Sequence, residues 1–148
     1  MGSLILPSSG SVYLDANAII YSYERVAPYS SLLDPCWNAA GPGSFEIVTS
    51  ELTFLEVLVG PLKTGNTRLE AGFRALLLSS TDVTLIPIDR PVLERAAQLR
   101  AATGLKTPDA IHAATALEHG CASLITNDPA FRRVVSLTVQ VLNDLLAP

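Results

Sequence analysis

Charge is what this chain has least of. Only 16% of its 148 residues are Asp, Glu, Lys or Arg, 14 acidic and 10 basic, against about 25% in an average soluble chain. Part of the outside is therefore expected to be uncharged and apolar, which points to a partner or to self-association. A net charge of −4 argues against a protein that holds nucleic acid by bulk electrostatics. Cysteine is nearly missing: Cys36 and Cys121 stand far apart with no metal-type spacing, and read as buried small hydrophobes in a reducing compartment. The first 20 residues hold no Lys or Arg, so the n-region of a signal peptide is lacking. No apolar run approaches the roughly 18 residues of a membrane span. A soluble, cytoplasmic protein is the expectation.

What is present is apolar side chain. The AVILMFWYC set makes up 49% of the chain and the mean hydropathy is +0.36, values that exclude a disordered tail or linker. The length suits one domain with one continuous core. Residues 1–148 are read as that domain, with residues 1–10 a loose N-terminal segment. No internal repeat, low-complexity stretch or linker interrupts it.

Short apolar runs alternate with helical patterns throughout. Val12–Leu14 reads as a strand ending at Asp15, followed by helix-compatible ANAIIYSYE. Asp34-Pro35 is the expected start of a short helix stopped by Gly41-Pro42-Gly43. Phe45–Val48 is a strand. Thr49 or Ser50 caps the helix ELTFLEVLVG, which Gly60-Pro61 is expected to end, and residues 67–79 form another amphipathic helix. After a strand at Thr84–Ile88, Asp89 caps a helix running to Thr103 with Gly104 beyond it. Thr107 is read as the cap of the next helix, begun by Pro108 and closed by Gly120. Ser123–Thr126 is a strand broken at Asn127-Asp128-Pro129. A short helix near Phe131 and a strand at Val139–Leu142 finish the chain. Such alternation calls for an α/β fold, a mostly parallel sheet with helices on both faces.

Ligands of open α/β sheets sit beyond the carboxyl ends of the strands. Asp15 and Asp128 fall at two such ends, and Asp109 lies in the first turn of a helix. Glu56 sits mid-helix among Leu52, Leu55, Val57, Leu58 and Val59. Each acid has an ordinary structural reading as well. Asp15 suits a helix cap, Asp109 complements a helix dipole, Asp128 suits a turn, and Glu56 suits a polar stripe. Glu51, in a first helical turn, is left with that structural role alone. Taken together, carboxylates gathered at one sheet edge need a cation to stay ionised. An oxygen-only set favours Mg²⁺ or Mn²⁺ over zinc. Without Asp15, Glu56, Asp109 and Asp128 the acids number 10, equal to the bases. His112, one turn after Asp109, reads either as a packed or surface histidine or as a contact to the site; His119 suits a helix C-terminus.

Four segments carry a resemblance: VYLDANAII, SELTFLEVLVGPL, LKTPDAIHAATA and LITNDPAF. In this order they resemble the PIN domain, and within it the VapC-type ribonuclease toxins of bacterial toxin–antitoxin pairs. The resemblance implies a parallel five-stranded sheet sandwiched between helices. It implies an acidic quartet of Asp15, Glu56, Asp109 and Asp128 as catalytic and metal-binding residues, with Asn17, Thr126 and Asn127 in support. It also implies Mg²⁺- or Mn²⁺-dependent hydrolysis of RNA, a homodimer and an antitoxin partner. Lys106, Arg132 and Arg133 flank the third and fourth acids and are candidates for RNA backbone contact. Tyr21, Tyr23, Tyr29 and Trp37 are either core or part of a helix-binding face. The alternatives are a PIN-like domain outside any toxin system and an interaction module that binds metal or RNA without turnover. A phosphotransfer domain would need a lysine after Asp128, and none follows it.

Overall fold

A computed structural model describes residues 2–147. The central strands are β1 (Ser11–Leu14) and β4 (Ser123–Thr126), both buried along their whole length. That burial explains why they read as continuous apolar runs rather than alternating ones. Outside β1 lie β2 (Glu46–Ser50) and then β3 (Thr84–Ile86), and outside β4 lies β5 (Val139–Val141). Among the described residues the sheet has five strands in the order β3-β2-β1-β4-β5, every pair parallel. Six α-helices accompany it: α1 (Ala16–Tyr23), α2 (Tyr29–Ala39), α3 (Glu51–Thr64), α4 (Thr67–Arg74), α5 (Arg90–Thr103) and α6 (Thr107–Glu118).

Strand periodicity divides the interior in two. Val12, Leu14, Ile47 and Ile125 enter one core with residues of α1 to α4. Tyr13, Val48 and Leu124 enter the other with α5 and α6. The register puts Tyr13 beside both Val48 and Leu124. Ala110, Ala113, Ala114 and Ala116 are buried on α6 beside His112 and Thr115, small side chains that let its backbone approach the sheet.

Where helix ends are set by local capping, they fall as expected. Asp89 accepts from the Val92 N–H at 3.1 Å and starts α5, and Gly104, at φ +72°, ends it. Four helix readings differ. Helix α2 begins at Tyr29, not at Asp34-Pro35, and Pro35 lies inside it. The Asp34 carboxylate is engaged by both terminal nitrogens of Arg25, at 2.7 and 2.9 Å, and does not cap. Helix α3 runs through Gly60-Pro61 and ends at Gly65, which adopts φ +69°. Gly60 has no Cβ to clash with the following proline ring, which keeps a helical conformation open to it. Helix α6 is capped by Lys106 without a side-chain bond, so Asp109 is its third residue. The helix expected over 67–79 changes to a π turn at Ala75–Ser79.

Residues 2–10 contain no strand or helix, yet they are tied down. Leu4 joins the first core, and the Ile5 N–H and C=O bond the Gln140 side-chain amide at 2.8 and 2.9 Å. Cys36 is buried, Cys121 half-buried, and both are free thiols. Tyr21 and Tyr29 stack at 4.6 Å and, with Trp37, pack against the first core; Tyr23 remains exposed. Leu55, Val59 and Leu62 stand 47–58% exposed along α3, an apolar stripe at helical spacing.

Replacing Gly65 by Ala adds a Cβ that meets no atom within 4 Å, so its cost is the left-handed backbone alone. We expect Gly65→Ala to lower stability in urea unfolding by about 1 kcal/mol, and Gly65→Asn to recover part of the loss.

Candidate active site

The strand order reverses between β1 and β4, the crevice where open α/β sheets receive their ligands. Asp15 follows β1 and is 5% exposed. Its Oδ1 accepts from the Ala18 N–H at 2.9 Å, capping α1, and its Oδ2 accepts from the Thr126 hydroxyl at 2.5 Å. The same hydroxyl accepts from the Asp128 N–H at 3.0 Å. Thr126 therefore links the ends of the two central strands. Asp128 in turn accepts from the Ala130 N–H at 2.9 Å and starts a 3₁₀ turn at Pro129–Arg133.

Burial pushes the Asp15 carboxyl above the usual carboxylate range. Hydrogen bonds from Thr126 and Ala18 oppose the shift, and the charge on Glu56 adds to it. Asp109, half-buried in the first turn of α6, is also pushed up, first by burial and then by the charge of Asp128. Glu56 adds to that shift, while His112 and Lys106 oppose it. Glu56 thus acts on both Asp15 and Asp109, and Asp128 acts on Asp109.

Glu56 is held from beneath. Its Oε1 lies 2.6 Å from His112 Nε2. The other ring nitrogen, Nδ1, lies 2.5 Å from the Tyr13 hydroxyl, whose oxygen accepts from the Ser50 N–H at 3.1 Å. Tyr13 is fully buried and His112 is 3% exposed. Burial raises the Tyr13 pKa well above that of a free phenol, so Tyr13 keeps its proton as a donor. A phenol proton directed at Nδ1 would leave Nε2 to carry the hydrogen donated to Glu56. His112 is thus the packed histidine of the two readings and a contact of the site as well.

The supporting residues divide. Thr126 is at the centre. Asn127 faces away, its Oδ1 accepting from the Asn143 N–H at 2.9 Å, and Asn17 is exposed on the first turn of α1. Lys106 lies close enough to Asp109 to act on its charge. Arg132 is ion-paired with Asp144, and Arg133 is exposed. Sequence reasoning gave Tyr13 no role beyond its strand and Ser50 only the cap of α3, which it is. The signal for Tyr13 was the one aromatic side chain of the central strand Ser11–Leu14.

Among the described residues, no three His, Cys, Asp or Glu side chains converge into a ready-made cage for one ion. The donors at the strand ends are carboxylates and a hydroxyl, all oxygen. That chemistry fits Mg²⁺ or Mn²⁺ held by one or two carboxylates with water completing the shell, rather than a dedicated protein cage.

The family model of the PIN domain matches residues 12–137. A toxin–antitoxin complex from Klebsiella pneumoniae is similar in structure at a TM-score of 0.60, with 30% identity over 79% of this chain and 86% of that one. VapBC2 from Rickettsia felis, solved on a fragment of its promoter DNA, is similar at 0.70 with 17% identity, covering 88% of this chain and 98% of that one. VapC20 from Mycobacterium tuberculosis, described as a sarcin–ricin-loop-cleaving toxin, is similar at 0.69 with 15% identity, covering 86% and 96%. At those identities the last two speak for the fold alone. No curated protein matches in sequence.

Because the Asp15 and Asp109 carboxyls are raised in the folded protein, the folded state binds more protons than the unfolded one between the ordinary carboxylate range and the raised values. Stability falls as pH rises through that window. Asp109→Asn removes one of these ionisations. In EDTA we expect it to melt higher than the unsubstituted protein at neutral pH, with the difference vanishing near about pH 3, where the carboxyl is protonated in both states. Equal melting at neutral pH would contradict a crowded acidic site.

Proposed function

The chain belongs to the PIN-domain family, and we propose that it is a Mg²⁺- or Mn²⁺-dependent endoribonuclease, the toxin of a VapBC-type pair working in the cytoplasm. The observation that supports this reading is that Asp15, after β1, and Asp109, at the start of α6, are both raised by burial and by neighbouring carboxylates, Glu56 acting on both and Asp128 on Asp109. Carboxyls raised in that way are relieved by a bound cation.

In this reading Asp15 and Asp109 would hold the metal, with Asp128 beside them and Glu56 positioning the metal or its water. A bound divalent cation supplies the positive charge that acidifies a water and steadies the departing 3′ oxygen. Thr126 keeps Asp15 aimed, its 2.5 Å hydrogen bond fixing one carboxylate oxygen. Lys106 and Arg133 offer positive charge to the RNA backbone at either side, and Arg132 joins them on leaving Asp144. With carboxylates rather than a histidine base at the crevice, the attack needs no ribose 2′-hydroxyl, and the products carry a 5′-phosphate.

The Klebsiella pneumoniae relative is described as a toxin–antitoxin complex, which supports an antitoxin partner for this chain. The exposed α3 stripe of Leu55, Val59 and Leu62 supports a protein interface, for the antitoxin or for a second copy in a homodimer.

Purified protein free of any partner is expected to cut a total RNA pool at discrete sites with Mg²⁺ or Mn²⁺. EDTA should abolish the cutting, and Asp109→Asn should reduce it by about 100-fold or more. Mapped ends should bear 5′-phosphates. Cutting that survives the substitution, or 2′,3′-cyclic phosphate ends, would refute this assignment.

A further inference from the structure

We propose that Tyr13 and His112 are positioning residues for Glu56, a line of hydrogen bonds that sets the carboxylate against the metal site. The inference rests on the ribonuclease reading and names two residues that act behind its acids.

The line starts at a fixed backbone group. The Ser50 N–H donates to the Tyr13 oxygen at 3.1 Å, the Tyr13 hydroxyl faces His112 Nδ1 at 2.5 Å, and His112 Nε2 faces Glu56 Oε1 at 2.6 Å. It crosses β2, β1, α6 and α3, so no local segment accounts for it. Its place under the acids follows from spacing. Tyr13 lies in β1 two residues before Asp15, close enough to feel its charge, and His112 is one turn after Asp109 on α6. The layer beneath the carboxylates is therefore the line itself.

Each member lacks freedom the next would need to move. Tyr13 is fully buried and its ring meets the His112 ring edge-on, at 5.7 Å and 70°. With Nδ1 taken by the Tyr13 hydroxyl and Nε2 by Glu56, the ring has one orientation that satisfies both nitrogens. Glu56 is the exception: its side chain is 30% exposed, and a glutamate of that exposure surrenders much rotamer freedom to be held. Groups that orient a ligand in this way change metal affinity about 10–100-fold when lost.

The test uses Mn²⁺ as the probe on the full chain. Calorimetric titration should show affinity falling about 10-fold in Tyr13→Phe and in His112→Leu. His112→Gln, whose amide nitrogen replaces Nε2 as a donor, should regain most of it. Tyr13→Phe should add nothing in a His112→Leu background. RNA cleavage by the same variants should shift to higher Mn²⁺ requirement, with most of the rate restored at saturation. Nitrogen-15 spectra of the metal-free protein should find His112 with its proton on Nε2, and a mixed tautomer in Tyr13→Phe. Urea melts in EDTA identify any variant that fails to fold; Tyr13→Phe and His112→Gln then carry the comparison. Unchanged Mn²⁺ affinity and metal requirement in a folded Tyr13→Phe, with the parent protein binding and cutting normally, would overturn this inference alone. A parent protein that neither binds Mn²⁺ nor cuts RNA would overturn the ribonuclease reading and this inference with it.

Discussion

A carboxylate buried at the end of a central strand needs donors, and the rest of the crevice is arranged around the two that Asp15 has. The Ala18 N–H makes the aspartate the start of α1, and the Thr126 hydroxyl makes it the joint between β1 and β4. Because Thr126 also receives the Asp128 N–H, the turn after β4 is set by the same hydroxyl. Neutralising burial with hydrogen bonds is the general requirement for a polar group inside a protein. Here it fixes the geometry of two chain segments more than 100 residues apart in sequence.

The structural roles of the acids leave room for the proposed metal-binding one. Asp15 and Asp128 each cap the element that follows them, and Asp109 sits in a first helical turn. Capping orients a carboxylate with a backbone N–H that is present whether or not anything is bound. A side chain held by its own backbone needs little reorganisation when a cation arrives, which is the practical meaning of a preorganised site. Glu56 alone lies mid-helix without such a local anchor, and it alone is reached by a relay from the core.

Features governed by neighbours in sequence were legible. The Asp89 cap and Gly104 end of α5, the full extent of β4, the parallel α/β class and the positions of the strand-end acids all follow from local patterns. The family resemblance lay in four segments within reach of the matched span, residues 12–137. Features governed by distant neighbours were not legible. Pro35 and Pro61 read as boundaries because the packing that carries α2 and α3 past them is tertiary. Asp34 looked like a cap until Arg25 claimed it. Tyr13 reads only as a residue of the Val12–Leu14 strand because its partner is 99 residues away, and no spacing rule connects a strand tyrosine to a helical histidine.

The α3 stripe bears on how molecules of this protein behave toward one another. Apart from the four crevice acids, the chain carries acids and bases in equal number. A cation bound in the crevice would bring the whole molecule toward zero net charge, where the repulsion that keeps proteins dispersed is weakest. Leu55, Val59 and Leu62 would then face other copies with less charge to hold them apart. A partner chain covering that stripe would act as a solubilising coat.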